Sequence, residues 1–429
     1  MKKNYFKSLA IAVCAGAMFF STGVNAQWAP VGGGAITGPG VDAMIGYNAD
    51  LYVGGGFFSP YSDIAKWNGS SYSNAGFTPT QGVLAFATFD SVLYIATYNT
   101  IYQIIGASVS TIGTLNDPCY ALCFYNHNLY AGGWMDSINK KPVGYLAKYN
   151  GTTWSPIGVP VDNWPKAMTI YNGQLAVGGY FNYSSANDTL YGVGLWDGTK
   201  WTHLNKGIKG GNGIFTMAVM GGNLYVGGGF DSVSYQKRHI YCNNIAMWNG
   251  TDWDSVGHGL TGGPYALTAF NGGLVAGGYF DSIRSWNGAV WSVLGTLPAY
   301  SEVEALGVYN GNLYAGGQFT SVSGVPNTGY MAEYTIPTGV NEVSNSGSIS
   351  VYPNPNNGVF KMQIDNGQLT MGNVQVEFYN ILGEKVYSQS SIVNRQLSID
   401  LSNQPAGIYL YRVLSAEGNA IGTGKVIVK

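Results

Sequence analysis

Tyr47-Asn48-Ala49-Asp50-Leu51-Tyr52-Val53-Gly54-Gly55-Gly56-Phe57 decides the reading of this chain, because the phrase returns. Copies run from Tyr125 to Met135, Tyr171 to Phe181, Met220 to Phe230, Phe270 to Phe280 and Tyr309 to Phe319. A decayed copy from Phe89 to Tyr98 carries Ala96-Thr97 in place of the glycine pair. The pair therefore starts at 54, 96, 132, 178, 227, 277 and 316, a period of 36 to 50 residues over seven units. Self-similarity at such a period signals stacked or radially arranged units.

A second phrase follows most copies: Ala65-Lys66-Trp67-Asn68-Gly69, Ala147-Lys148-Tyr149-Asn150-Gly151, Leu195-Trp196-Asp197-Gly198, Ala246-Met247-Trp248-Asn249-Gly250 and Ser285-Trp286-Asn287-Gly288. Trp154, Trp201, Trp253 or Trp291 comes next in four of them. Asn-Gly and Asp-Gly between short alternating apolar runs mark hairpins, because both central residues of the tight turn need positive φ. Each unit thus reads as four antiparallel strands, a to d, with tight turns a–b and c–d. The expected fold is all-β, a seven-bladed β-propeller spanning residues 27–336.

The seventh unit has its c strand at Tyr330 to Thr335 and no Trp-bearing d strand, whereas Gln27-Trp28-Ala29-Pro30-Val31-Gly32-Gly33 is that missing phrase. The N-terminal strand is therefore expected to complete the last blade and remove an exposed edge. The tight turns then share one face, and the b–c and d–a connections share the other. The second set varies, with two residues between Phe280 and Ile283 but fourteen between Phe230 and Ile245. Variable loops on a rigid frame are where binding usually lies.

Aligning strand a gives three columns. Met44, Phe86, Leu122, Met168, Met217, Leu267 and Leu306 are large, and Ala43, Ala85, Ala121, Ala167, Thr216, Ala266 and Ala305 are small, as crowding near an axis requires. One residue earlier, at the rim of the variable face, stand Asp42, Leu84, Tyr120, Lys166, Phe215, Tyr265 and Glu304. The candidate ligand-binding residues are Asp42, Tyr120, Lys166, Tyr265 and Glu304 from this rim, with Trp134 and Trp164 from nearby loops. Tyr183, Tyr235, Arg238 and His239 are further loop residues of that face. Asp42 and Glu304 are a carboxylate pair of the kind that cleaves or binds sugars, and the plain alternative is a solvated rim. The glycine pairs end strands instead of opening helices, so packing and tight bends account for them better than a phosphate cradle. His127, His203, His239 and His258 do not converge, and neither a metal site nor a catalytic triad is expected.

Composition agrees. Of 429 residues 63 are Gly, aromatics make up 14%, and only 10% are charged. That disfavours a helical protein and a disordered one. Met1 to Ala26 is basic, then apolar from Leu9 to Phe20, then small at Val24-Asn25-Ala26, the order of a secretory signal peptide; twelve apolar residues are too few to span a bilayer. Without it 17 Lys and Arg face 22 Asp and Glu, so no nucleic-acid surface is implied. Cys119, Cys123 and Cys242 remain; the first two are about 13 Å apart along one strand, and three free buried thiols are expected.

From Ile336 the phrases stop. Residues 337–348 form a polar linker, and residues 349–429 read as a small β-sandwich. This tail resembles the type A C-terminal sorting domain of the type IX secretion system. The resemblance rests on Val351-Tyr352-Pro353-Asn354-Pro355-Asn356-Asn357-Gly358, Val376 to Val386, Pro405-Ala406-Gly407-Ile408-Tyr409-Leu410-Tyr411-Arg412-Val413 and Gly424 to Lys429. It implies sorting-signal residues Pro353, Asn354, Pro355, Gly358, Gly407, Tyr409, Lys425 and Lys429, and partners in the secretion machinery and a sortase-like peptidase that attaches the cargo to the outside of the outer membrane. Six Asp-Ser or Asp-Thr steps before an aliphatic residue, such as Asp231-Ser232-Val233 and Asp281-Ser282-Ile283, resemble the O-glycosylation sequon of the same bacterial group, although Asx-turns explain the same residues more cheaply. The repeats resemble kelch or galactose-oxidase-type propellers loosely, without a copper site. The expectation is a secreted, surface-displayed, non-catalytic propeller binding a glycan or protein, with no cofactor and no membrane span. The alternatives are a polysaccharide-active enzyme using Asp42 and Glu304, and a structural coat protein.

Overall fold

The computed structural model describes residues 27–186, 189–205, 207–235, 238–336, 348–365, 375–380, 384–390, 396–414 and 420–429. The signal peptide and most of the linker lie outside these residues. The chain divides into two compact units, one ending at Ile336 and the other formed by the tail from Pro337.

In the first unit every repeat becomes one sheet, built outward strand by strand. The inner strands are Val41–Tyr47, Val83–Phe89, Cys119–Tyr125, Pro165–Tyr171, Ile208–Met220, Pro264–Phe270 and Glu302–Tyr309. Each packs against the next, and the seventh packs against the first. Six of the seven sheets have four strands, and the fifth has a fifth strand, Arg238–Tyr241, paired on its second. The outermost strand of the seventh sheet is Gln27–Pro30, which pairs Trp28 with Tyr334 and Pro30 with Ala332. Both chain ends of this unit therefore stand where the other sheets have their c–d turn.

Tryptophan explains why the N-terminal strand fits there. Trp154, Trp201, Trp253 and Trp291 each donate from Nε1 to a backbone carbonyl of the preceding sheet or the segment just after it, Ile112, Val159, Leu204 and Val256. Trp28 does the same to Leu294 of the sixth sheet at 2.8 Å and is buried. Its ring lies 5.1 Å from Tyr334, matching the 5.2 Å of Trp196 and Trp201. Loss of such a ring from a packed site costs about 3–5 kcal/mol.

The glycine pair does two jobs. A Cβ on Gly54 would stand 2.5 Å from Cγ1 of Val83 in the next sheet, and one on Gly316 would stand 2.5 Å from Cγ1 of Val41 in the first. The first glycine thus lets neighbouring sheets close. A Cβ on Gly55 would stand 2.2 Å from the carbonyl oxygen of Gly40, so the second admits the incoming inner strand of its own sheet.

Three details differ from the sequence reading. The c strand of the seventh repeat starts at Met331, because Tyr330 adopts φ +63, outside strand geometry. The stretch after Phe230 is no loop: the second strand runs on to Tyr235 and returns through Arg238–Tyr241. Cys119 and Cys242 are buried and free, but Cys123 is only half-buried.

The second unit has a three-stranded sheet, Ser348–Tyr352, Val359–Asp365 and Gln396–Asp400, and a four-stranded one in the order Lys385–Ser390, Gln375–Tyr379, Gly407–Leu414, Ala420–Val428. Phe360, Met362, Val376, Phe378, Ile399, Tyr411, Val413 and Val426 form their shared core.

Candidate functional site

All seven inner strands carry the same irregularity. Their ladders skip one residue, at Asp42, Leu84, Tyr120, Lys166, Phe215, Tyr265 and Glu304. Each rim residue is thus the extra residue of a β-bulge, which re-aims a side chain that would otherwise follow the pleat. All seven line one cavity of about 670 Å³, together with the whole small column and the whole large column. The next residues down the strands, Ile45, Ala87, Cys123, Thr169, Ala218, Thr268 and Gly307, do not line it. The cavity is a well that reaches down to the seven large apolar side chains.

Its rim is polarised. Asp42 and Glu304 come from the first and seventh sheets, which adjoin, and Lys166 comes from the fourth, across the ring. The Lys166 ammonium stands 5.1 Å from the ring centres of Phe215 and Tyr265 and 5.9 Å from that of Tyr120, within cation–π range. Among the described residues it makes no ion pair within 4.0 Å. Burial pushes Asp42 up to about 7 against the pull of Lys166. Burial, then a hydrogen bond with Glu302, push Glu304 up to about 8 against the same pull. Lys166 is lowered by burial, with Glu304, Glu302 and Asp42 opposing. These groups feel each other's fields without being paired.

Five of the seven candidate ligand residues, Asp42, Tyr120, Lys166, Tyr265 and Glu304, meet in the well, and two do not line it. Trp134 is 56% exposed and stacks on Trp164 at 6.1 Å, while Trp164 stacks on Tyr180 at 4.0 Å. Tyr180 in turn lies 6.0 Å from Phe215 on the rim. Trp164 spends its faces inside this cluster, so the free aromatic face is that of Trp134. Tyr183 is exposed away from these rings, and the side chains of Tyr235, Arg238 and His239 lie outside the described part. Sequence reasoning passed over Glu302, Tyr98, Tyr180 and Gln318. A signal was present for three of them: the position after the glycine pair reads Gly56, Tyr98, Trp134, Tyr180, Gly229, Tyr279 and Gln318, a further aligned column.

The sequon reading divides. Ser91 is exposed, but Ser232 and Ser282 are buried, and Ser282 is bonded to Asp281 and Arg284, so those two hydroxyls are closed to modification. Asp188 lies outside the described residues. Burial raises all three thiols to about 12, which leaves them unreactive at neutral pH. No group of metal ligands occurs among the described residues.

In the tail, the residues of the sorting motif hold the last strand. Asn354 accepts at Oδ1 from the Ile427 N–H, the Asn356 N–H donates to the Ile427 carbonyl, and the Lys429 N–H donates to the Asn356 carbonyl. Gly358 has φ +94, and a Cβ there would stand 2.5 Å from Ser402 Cα. Tyr409 is buried with its hydroxyl on the Pro405 carbonyl at 2.6 Å. Pro353, Pro355, Gly407, Lys425 and Lys429 are exposed.

Residues 350–429 match the secretion system C-terminal sorting domain family. The tail therefore carries an address for export through the type IX system, and the match does not reach the seven sheets. No curated protein matches the chain. Among solved structures, it is similar to the extracellular domain of a B. thetaiotaomicron protein described as a one-component system, at 11% identity and TM-score 0.50. The likeness covers 95% of this chain and 58% of that one, so this chain spans little more than half of that structure. At that identity it bears on the all-β fold alone. No helix among the described residues is long and apolar enough to cross a membrane.

Proposed function

We propose that the seven sheets are the blades of a propeller that, exported by its sorting domain and displayed at the cell surface, binds a glycan in the central well without catalysing a reaction. The observation that carries this reading is convergence: rim residues from seven separate repeats are re-aimed by bulges into one well of about 670 Å³, a size typical of small-ligand sites. Aromatic rings favour the apolar faces of sugars, and the carboxyl, lysyl and phenolic groups between them supply donors and acceptors for hydroxyls. Anchoring outside the outer membrane after removal of the tail by a sortase-like peptidase is part of the proposal.

The test is retention of the full-length chain on a glycan array. Tyr265→Ala, which removes a ring that lines the well, is expected to weaken retention more directly than Trp134→Ala or Trp164→Ala, whose rings lie outside it. If no glycan is retained, the binding reading fails and a structural coat role remains. One observation favours a polysaccharide-active enzyme as second reading: Asp42 and Glu304 line the same well with acidities near neutrality, as a general acid needs. Release of reducing ends from a retained glycan, abolished by Glu304→Gln, would replace the first reading by the second.

A further inference from the structure

We infer that the well receives the end of a glycan chain, and that the chain leaves it in one direction only, between the fourth and fifth sheets. This rests on the glycan reading above and adds the mode of engagement to it.

The depth of the well argues for an end-on ligand. All seven large side chains, from Met44 round to Leu306, line the cavity, and nothing below them does. A polymer engaging the well to this depth would present a terminus.

The exit is marked on one side of the rim. Beyond Glu304, Asp42 and Leu84 the well is bordered by Pro39, Gly56, Gly82 and Gln318. Beyond Phe215, whose ring lies 6.0 Å from that of Tyr180, Tyr180 lines a second cavity of about 130 Å³. That cavity is bounded by Asn182, Tyr191 and Asn212 with backbone from Gly179, Gly192, Gly211 and Gly213. It exists because the inner strand of the fifth sheet starts early, at Ile208, and carries an additional bulge between Gly211 and Gly213. Both glycines adopt positive φ, +115 and +86, and a Cβ on Gly213 would stand 2.6 Å from the Gly179 carbonyl oxygen. Asn212 is the unpaired residue of that bulge, the same device that aims the seven rim side chains. An exposed asparagine amide both donates and accepts, which suits a hydroxyl-rich chain. Tyr180 stands between Phe215 of the well and this second cavity and would carry the unit between them.

The experiment offers the full-length chain four polysaccharides, a β-1,3-glucan, a β-1,4-glucan, a xylan and a mannan. Each is used intact and after partial acid hydrolysis, at equal mass. For any that is retained, capacity per unit mass is expected to rise with the number of chain ends. Asn212→Ala is expected to lower affinity several-fold for trimers and longer fragments while leaving the disaccharide unchanged. Capacity that ignores fragmentation would overturn end recognition and leave the glycan reading standing. An Asn212→Ala effect that is equal for all lengths, or absent, would overturn the exit. Retention of none of the four, whole or cut, would defeat the inference together with the glycan reading for these backbones. The fragmentation assay uses the unaltered protein, so it decides even where the variant does not fold.

Discussion

Asp42 and Glu304 in the well and Glu377 in the tail are all carboxylates held largely out of water, yet the first two are driven up to about 7 and about 8 while Glu377 is held at about 2. Burial pushes all three upward. At Glu377 hydrogen bonds from Tyr379, Arg412 and Lys385 outweigh it. In the well two carboxyl groups, with Glu302 nearby, share one lysine that forms an ion pair with none of them. A carboxylate saturated by its own neighbours is structural, whereas one left with capacity to spare is available to a ligand.

The sharpest way to break this contrast is to remove Glu377. Glu377→Ala removes the acceptor of Arg412, Lys385 and Tyr379 and is expected to cost the tail on the order of 1–2 kcal/mol at neutral pH, since the two cations left behind are half-exposed and can be hydrated. All 11 tryptophans lie within residues 27–336, so tryptophan emission follows the first unit and tyrosine emission or circular dichroism must follow the tail. The folded pKa is depressed, so this stability is present above about 4.5 and is lost as pH falls toward about 2, where wild type and variant should converge. An equal deficit at pH 2 and pH 7 would show that Glu377 acts through packing alone.

The well has the opposite sign. Its carboxylates have raised folded pKa values, so the folded state binds protons more tightly and loses stability as pH rises from about 4 through 7 to 8. Glu304→Gln with Asp42→Asn should abolish that decline and raise stability at pH 8 by on the order of 1 kcal/mol after allowance for solvent contact, read from tryptophan emission in denaturant. A double variant less stable than wild type at pH 8 would mean that the pair is structural after all.

Smaller effects sharpen the picture. Lys166→Met removes the one cation that lowers both carboxylates, so carboxyl resonances of Asp42 and Glu304 should titrate at still higher pH than in wild type. If they titrate lower, the lysine is not facing them. Trp134→Ala should change stability by no more than about 0.5 kcal/mol, as at an exposed site, while reducing glycan retention. A large loss of stability would place Trp134 in the frame instead of the site.

Much of the frame was legible because it rests on local chemistry that recurs. Asn-Gly turns, Trp-bearing outer strands and glycine pairs are each dictated by a backbone angle or a close approach, and repetition makes them visible. The closing strand could be found for the same reason, since Trp28 must find a carbonyl in the neighbouring sheet as Trp201 does. The bulges were not legible. Asp42, Leu84, Tyr120, Lys166, Phe215, Tyr265 and Glu304 share no residue type, and a bulge is defined by a missing partner on another strand. Nor could sequence say that Trp164 would bury its faces against Tyr180, or that Ser232 and Ser282 would be buried.

What the amino-acid sequence determined alone was the unit, its number, the strand that completes it and the address at the end, because each is a property of neighbouring residues. What only the tertiary structure decided was the well: its depth, its polarity and the lack of an ion pair between Lys166 and either Asp42 or Glu304. Those depend on fields and distances between residues far apart in the chain, and they come into being only when seven bulged strands are brought round one axis.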